Sequence, residues 1–452
     1  MSTLATDRAF RDQPRLAAYD VLRAVSADDA YANLVLPQVL RERGLGGRDA
    51  ALATELVGGT LRGQGTYDAI VASLANRAVD PPVLDALWLG THQLLAMRVP
   101  GHAAVATTVD LVRHRVGHRP AGFVNAILRK VSAHDLDGWV RRVAPDPTVD
   151  PTGHLAVATS HPRWVVEALA TALGRPGELD ALLAADNERP RVTLVARPGL
   201  STVAELGGRP TLSPLGVTLE GGDPGQLPSV RDGRAGVQDA GSQLVALALT
   251  RAGVEGTDQR WLDQCAGPGG KAVLLAALAA EGGAWVLAAE RQPHRAQLVR
   301  QALRATTAGL VGVVAADGTR PAWADRGFDR VLVDAPCSGL GALRRRPESR
   351  WRRRPEDLAE LVPLQRALLD SALDATRPGG VVLYATCSPV VTETVDVVRA
   401  TLAGRDDVRL EDAAPLLPEA EDATCVGLPE AVQLWPHRHA TDAMFLALLR
   451  KS

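Results

Sequence analysis

Residues 260–280 read RWLDQCAGPGGKAVLLAALAA, and this stretch decides the fold of the second half of the chain. Arg260 to Leu262 has strand character. Asp263-Gln264-Cys265-Ala266-Gly267-Pro268-Gly269-Gly270-Lys271 is a glycine-rich loop, and Ala272 to Ala280 is an apolar helical segment. Glycines let a backbone approach a ligand closely, and the helix start that follows offers unsatisfied N–H groups to a carboxylate or phosphate. The loop is therefore of nucleotide-binding type. It is neither G-x-G-x-x-G nor G-x-x-x-x-G-K-[ST], which weighs against NAD and ATP. As an isolated string, a plain tight turn stays open.

Downstream of the loop, short apolar runs alternate with helical segments. The candidate strands are Arg260 to Leu262, Trp285 to Ala289, Gly312 to Ala316, Arg330 to Val333, Val381 to Tyr384 and Met444 to Leu449. That alternation predicts a largely parallel sheet covered on both faces, with ligands beyond the carboxyl ends of its strands. Glu290 ends the second strand about 20 residues after the loop, where doubly wound nucleotide folds place an acid on ribose hydroxyls. Asp317 ends the third, beside a position suited to an adenine ring; by itself it is equally a helix cap. The fourth strand runs into Asp334-Ala335-Pro336-Cys337-Ser338-Gly339 and the fifth into Ala385-Thr386-Cys387-Ser388-Pro389. Two thiols at neighbouring strand ends would face one cleft, where a lowered pKa makes a nucleophile. The bland reading, small buried residues, is the usual fate of a free cysteine, and the strand-end location argues against it. Cys265 is expected to pack rather than react, and Cys425 to be incidental.

Upstream, apolar residues recur at helical spacing: Ala18, Val21, Leu22, Val25; Ala53, Leu56, Val57, Thr60, Leu61; Val105, Val109, Val112, Val116; Val124, Ile127, Leu128, Val131. Each set is one buried stripe, and together they predict an all-α bundle. His114 and His118 fit a solvated helix end better than a metal site. Three parts follow: residues 1–134 as the bundle, 135–236 as a small α+β linker module with a helix at Trp164 to Leu173 and a strand at Arg191 to Ala196, and 237–452 as the α/β domain.

At 452 residues the chain is long enough for several cores, and 46% hydrophobic with 23% charged residues excludes wholesale disorder. No apolar stretch approaches a membrane span. The N-terminal MSTLATDRAFRDQPR has no apolar core, so no secretory signal is expected and the cytosol is the expected location. Four scattered cysteines fit a reduced compartment without a disulfide framework or a metal site. The net charge of −2 gives no global positive field. Between Arg344 and Arg354, however, the chain reads RRRPESRWRRR. Arg344, Arg345, Arg346, Arg350 and Trp351 are suited to phosphate contacts and stacking. Composition alone leaves a solvated charged loop equally open.

Several of these strings, in order, resemble the RNA cytosine-C5 methyltransferases of the Nol/Nop/Sun family: Gln238-Asp239-Ala240-Gly241-Ser242-Gln243, Cys265 to Lys271, Asp334 to Gly339, Thr386-Cys387-Ser388, Leu434-Trp435-Pro436-His437 and Thr441-Asp442. The bundle resembles the NusB-like RNA-binding domain, most tellingly in Arg48-Asp49-Ala50-Ala51-Leu52-Ala53-Thr54-Glu55-Leu56. That pairing points to the RsmB/Sun branch, which acts on 16S ribosomal RNA. The resemblance covers nearly the whole chain, least clearly residues 135–236. It implies a Rossmann-like domain using S-adenosylmethionine, held along Cys265, Ala266, Gly267, Pro268, Gly269, Gly270 and Lys271, with Glu290, Arg295, Asp317 and Asp334 around it. It also implies Cys387 as the nucleophile that adds to C6 of the cytosine, Asp334 as the acid at N3 and the exocyclic amine, and Cys337 as the group that aids product release.

The chain departs from the family pattern at Gly267 (usually alanine), Ala272 (often threonine), Ala443-Met444 (usually glycine and phenylalanine) and Thr394 (usually asparagine, beside the acidic Glu393). A monomer that binds RNA, with no membrane and no metal, is expected. The competing readings are the same chemistry on transfer RNA, a non-catalytic RNA-binding or antitermination factor, and a small-molecule methyltransferase. Intact Cys387, Cys337 and Asp334 count against the factor. The bundle and the arginine stretch count against the small-molecule enzyme.

Overall fold

The computed structural model describes residues 10–306 and 308–452. They form two units. One is helical and comprises the chain up to Glu167 together with Asp186–Arg189 and Leu343–Arg352; the other is α/β and comprises Ala168–Ala185, Pro190–Ala342 and Arg353–Ser452.

The helical unit is built on Gln13–Ala27, Ala32–Glu42, Gly47–Leu74, Pro81–Leu95, Gly101–Arg115 and Ala121–Val131. The stripes read from the sequence form its core: Ala18, Val21, Leu22, Leu56, Val57, Leu61, Val109, Val112, Val124, Ile127, Leu128 and Val131 are all buried there. Asp12 caps the first helix by accepting from Arg15 N, a contact type that contributes about 1 kcal/mol. His114 stacks on Phe10. The unit continues past residue 134, where sequence patterning sets its end. Helices Leu136–Val143 and Pro151–Ala158 also pack on Gly47–Leu74. The reason is local: Asp135 caps the first of them, and buried Trp139 donates its indole N–H to Val131 O at 2.8 Å.

The α/β unit holds two sheets. The smaller has β1 (Thr193–Ala196), β2 (Arg209–Pro210), β3 (Gly216–Thr218) and β4 (Ala235–Val237), antiparallel in the order β2-β3-β1-β4. The larger has β5 (Arg260–Asp263), β6 (Trp285–Glu290), β7 (Leu310–Ala315), β8 (Phe328–Asp334), β9 (Thr376–Thr386), β10 (Val408–Glu411), β11 (Thr424–Cys425), β12 (Leu428–Gln433) and β13 (Phe445–Lys451). Their order is β11-β12-β13-β9-β8-β5-β6-β7, with β10 paired to β13. Strands β5 to β9 are parallel, and β10 to β13 join antiparallel. The sheet is thus mixed, where the sequence pattern predicts a largely parallel one. Two-residue β11, and β12 with Pro429 and Glu430 near its start, carry too little apolar signal to read as strands. Chain order reverses at β5, which lies between β6 and β8, so the carboxyl ends of β5, β8 and β9 open onto the crevice where such sheets bind ligands. No helix among the described residues is long and apolar enough to cross a membrane.

Candidate active site

Asp263 closes β5 fully buried, and neither carboxylate oxygen has a hydrogen-bond partner. Burial, with Asp334 nearby, pushes its carboxyl up to about 7. The loop that follows turns into helix Gly270–Glu281 through Gly269, whose φ of +114° disfavours any side chain. A Cβ on Gly267 would overlap Glu290 Oε2, so the glycine lets the acid at the end of β6 lie against the loop. Glu290 accepts from Gln292 N at 2.9 Å. Arg295 Nη2 donates to Gly267 O at 2.8 Å and lies 3.6 Å from Glu290 Oε2; it pins the loop from outside. Asp317 accepts from the Thr319 N–H and hydroxyl, closing its own turn and holding its carboxyl below the usual range. Cys265 is half-buried, and burial pushes its thiol well up. It packs, as expected. Cys425 is buried on β11 with its thiol pushed up to about 11 by burial.

On the other side of the crevice, Lys271 Nζ donates to Asp334 Oδ2 at 2.8 Å. Desolvation pulls the ammonium down, but Asp334 and Cys387 outweigh it and its pKa is raised. Cys337 and Cys387, from the ends of β8 and β9, face each other with sulfurs 3.4 Å apart. The Cys337 S–H is the main influence lowering the Cys387 thiol, assisted by Lys271 and opposed by desolvation and Asp334. Cys337 moves the other way, held up first by that same contact and then by burial. The contact thus moves the two thiols in opposite directions, Cys387 down and Cys337 up.

The strand-end loops are tied down from behind. Glu393 is fully buried and accepts from Ser338 N at 2.7 Å, Gln365 Nε2 at 3.0 Å, Ser338 Oγ at 2.5 Å and Ser388 Oγ at 2.6 Å. Gly341 N donates to Cys387 O, and Ala443 N to Gly341 O, each at 2.8 Å. Ala443 and Met444 are buried and take part in this packing. Asp239 Oδ1 accepts from Gly241 N at 2.9 Å and from Asp442 N at 3.0 Å, joining two of the sequence motifs. Neither Asp263 nor Glu393 is a candidate from sequence. The position of Asp263 at a strand end was the available signal, and Glu393 offers only an acid six residues after Cys387.

The arginine-rich segment departs from expectation at two positions. Arg350 is wholly buried within the helical unit and donates to Ser160 O at 2.9 Å, Asn187 Oδ1 at 2.8 Å and Asp186 O at 3.3 Å. Trp351 is half-buried against Gly65, where a Cβ would overlap its ring. Neither is presented for phosphate contact or stacking, because the segment fills that unit instead of lying in solvent. Arg346 and Arg352 stand over the Tyr31 ring, at 5.5 and 4.7 Å from its centre. Arg345 and Arg346 are exposed and Arg344 is partly so. Among the described residues, no group of three or more His, Cys, Asp or Glu is placed to hold a metal.

The model of the family described as 16S rRNA methyltransferase RsmB/F matches residues 254–450, and that of the NusB family matches residues 12–133. A putative methyltransferase of Mycobacterium tuberculosis is 55% identical over 97% of this chain and 97% of its own length. Ribosomal RNA small subunit methyltransferase B of Pseudomonas putida is 34% identical over 97% of this chain and 98% of its own length. Among solved structures, that of PH0851 superposes with a TM-score of 0.80 at 20% identity, covering 98% of this chain and 99% of the other. That likeness is one of fold.

Proposed function

The chain belongs to the 16S rRNA methyltransferase RsmB/F family, and on that premise we propose that it methylates C5 of a cytosine in 16S ribosomal RNA through a covalent bond between Cys387 and C6 of the base. The observation that carries this reading is the thiol pair beside the Lys271–Asp334 ion pair. A cytosine C5 is a poor nucleophile, and a thiolate adding at C6 converts it into an enamine-like carbon that can take a methyl group.

The methyl donor of the family is S-adenosylmethionine, and the crevice fits it. The unpartnered buried carboxylate of Asp263 suits a ligand carrying positive charge, and Glu290 lies against a glycine loop as an acid for ribose hydroxyls should. Cys265 to Lys271 would hold it along the loop, with Asp317 toward the adenine. Bound there, it supplies an electrophilic methyl group.

The chain's own residues do the rest. Cys387 forms the bond to C6, and the electron pair displaced from the ring builds charge at N3. Asp334 meets N3 and the exocyclic amine and passes N3 a proton drawn from the Lys271 ammonium that donates to its Oδ2, so the displaced electron pair ends as an N3–H bond. After C5 has accepted the methyl group, loss of the C5 proton and departure of the Cys387 thiolate restore the ring. Cys337 assists that release: its S–H proton passes to the departing Cys387 sulfur, and the Cys337 thiolate so formed takes up the C5 proton. The target base has to leave its stack to reach this crevice. The helical unit and Arg344, Arg345 and Arg346 supply phosphate contacts.

Transfer of labelled methyl from S-adenosylmethionine to transcribed 16S RNA and to bulk transfer RNA, with Cys387→Ala as control, tests the reading. Label on 16S RNA as 5-methylcytosine, absent with the variant, is the expected result. Label on transfer RNA alone overturns the substrate, and label that persists with Cys387→Ala overturns the mechanism.

A further inference from the structure

We infer that Glu393 is a positioning residue that sets the spacing of the two thiols by binding both loops that carry them. The inference rests on the thiol chemistry proposed above. Each cysteine is followed directly by a serine, and both serine hydroxyls end on one carboxylate oxygen: Ser338 Oγ at 2.5 Å and Ser388 Oγ at 2.6 Å from Glu393 Oε2, with 2.9 Å between the hydroxyls. The other oxygen takes Ser338 N at 2.7 Å and Gln365 Nε2 at 3.0 Å. Gln365 Nε2 also reaches Pro336 O at 2.9 Å, one residue before Cys337. The backbone of Glu393 is itself fixed, since Tyr384 on β9 donates its hydroxyl to Glu393 O at 2.7 Å.

The carboxylate is fully buried. Donors from both loops meet its oxygens, so the two loops cannot separate without leaving buried polar groups unpaired. β8 and β9 are parallel neighbours in register from Arg330/Val381 to Asp334/Ala385, which brings the loops side by side. The sheet alone does not fix how the chains leave it. Glu393 does so from behind, through the serines and Gln365 and not through the sulfurs. Its charge also contributes to holding Cys337 as the thiol. The serines are not a nucleophile with a base: both are buried, and no histidine joins them in these contacts.

The test compares wild type, Glu393→Gln, Glu393→Ala and the milder Ser388→Ala in the full-length protein. Bridging of Cys337 to Cys387 by dibromobimane, which fluoresces once both its arms have reacted, is mapped by mass and reads the spacing without any need for activity. Expected is bridging that falls about tenfold in Glu393→Ala and is partly restored in Glu393→Gln, with Ser388→Ala in between. In methylation, kcat should fall by a similar factor while KM for RNA is unchanged, because a geometric error of about 1 Å at a reacting group costs up to 100-fold. Wild-type bridging and kcat in a folded Glu393→Ala overturn the inference. So does a loss in KM alone. If Glu393→Ala does not fold, Ser388→Ala and Glu393→Gln decide, and unchanged bridging in both overturns it. Bridging that depends on Glu393 in a protein that methylates no RNA supports the positioning role and refutes the proposed function instead.

Discussion

The sulfurs of Cys337 and Cys387 lie 3.4 Å apart although 50 residues of chain separate them. Parallel pairing of β8 with β9 delivers both to one end of the sheet, and their contact shifts the two thiols in opposite directions. Cys387 is lowered chiefly by the S–H of its neighbour, and Cys337 is raised chiefly by the same contact.

Removing that proton donor has two expected consequences. In Cys337→Ala the Cys387 thiol rises, so its alkylation by iodoacetamide at neutral pH slows about tenfold for each pKa unit lost, read as a rightward shift of the rate against pH. With S-adenosylmethionine and RNA present, the same variant accumulates a protein–RNA adduct that survives a denaturing gel. Cys387→Ala binds RNA and forms none. An unshifted alkylation profile contradicts the assignment.

Gly341→Ala should inactivate with the fold retained. A Cβ there would overlap Ala443 O and lie 2.8 Å from Cys387 O, and these are backbone atoms with nowhere to go. The loop after Cys337 has to shift, costing about 100-fold in kcat and about 1–3 kcal/mol of stability, while circular dichroism stays near wild type. Undiminished kcat means the loop tolerates the side chain.

Asp263 gives a pH signature to the protein without bound donor. Its folded-state pKa of about 7 stands above the unfolded value of 3.8, so the fold holds the proton more tightly than the unfolded chain does. Stability from this group is therefore full below the unfolded value and is lost as pH rises through about 7. Asp263→Asn should flatten the decline of melting temperature between pH 5 and 8, and should weaken S-adenosylmethionine binding in calorimetry. Parallel melting curves for the two proteins refute the shift.

Arg350 and Arg345 should separate stability from RNA binding. Arg350→Ala leaves Ser160 O, Asp186 O and Asn187 without their donor and should cost about 3 kcal/mol in denaturant unfolding. Arg345→Ala, at an exposed position, should cost at most about 1 kcal/mol and reduce the slope of log affinity against log salt by about 1. The opposite pattern would return Arg350 to the RNA surface.

The convergence of Cys337 and Cys387 was legible because in a parallel sheet every strand ends on the same side, whereas the roles given to Asp334 and the two thiols came from the family resemblance. The helical stripes were legible because a 3.6-residue period marks a buried face without knowledge of its partner. Arg350 was illegible, since an arginine run reads as solvated unless the distant Ser160, Asp186 and Asn187 are known to surround it. Glu393 was illegible for the same reason. A lone acid gives no sign that four donors from three separate segments meet it.

The helical unit opens the chain, yet Leu343–Arg352 completes it. As the protein is synthesised from its N-terminus, the bundle emerges first, with the Arg350 niche unfilled, and it stays so until residues 190–342 and the ten that follow them have left the ribosome. The bundle therefore cannot be completed before the sheet has been translated through β8. A chain that stops short of Leu343 carries the bundle with the oxygens of Ser160, Asp186 and Asn187 lacking the guanidinium that fills their niche.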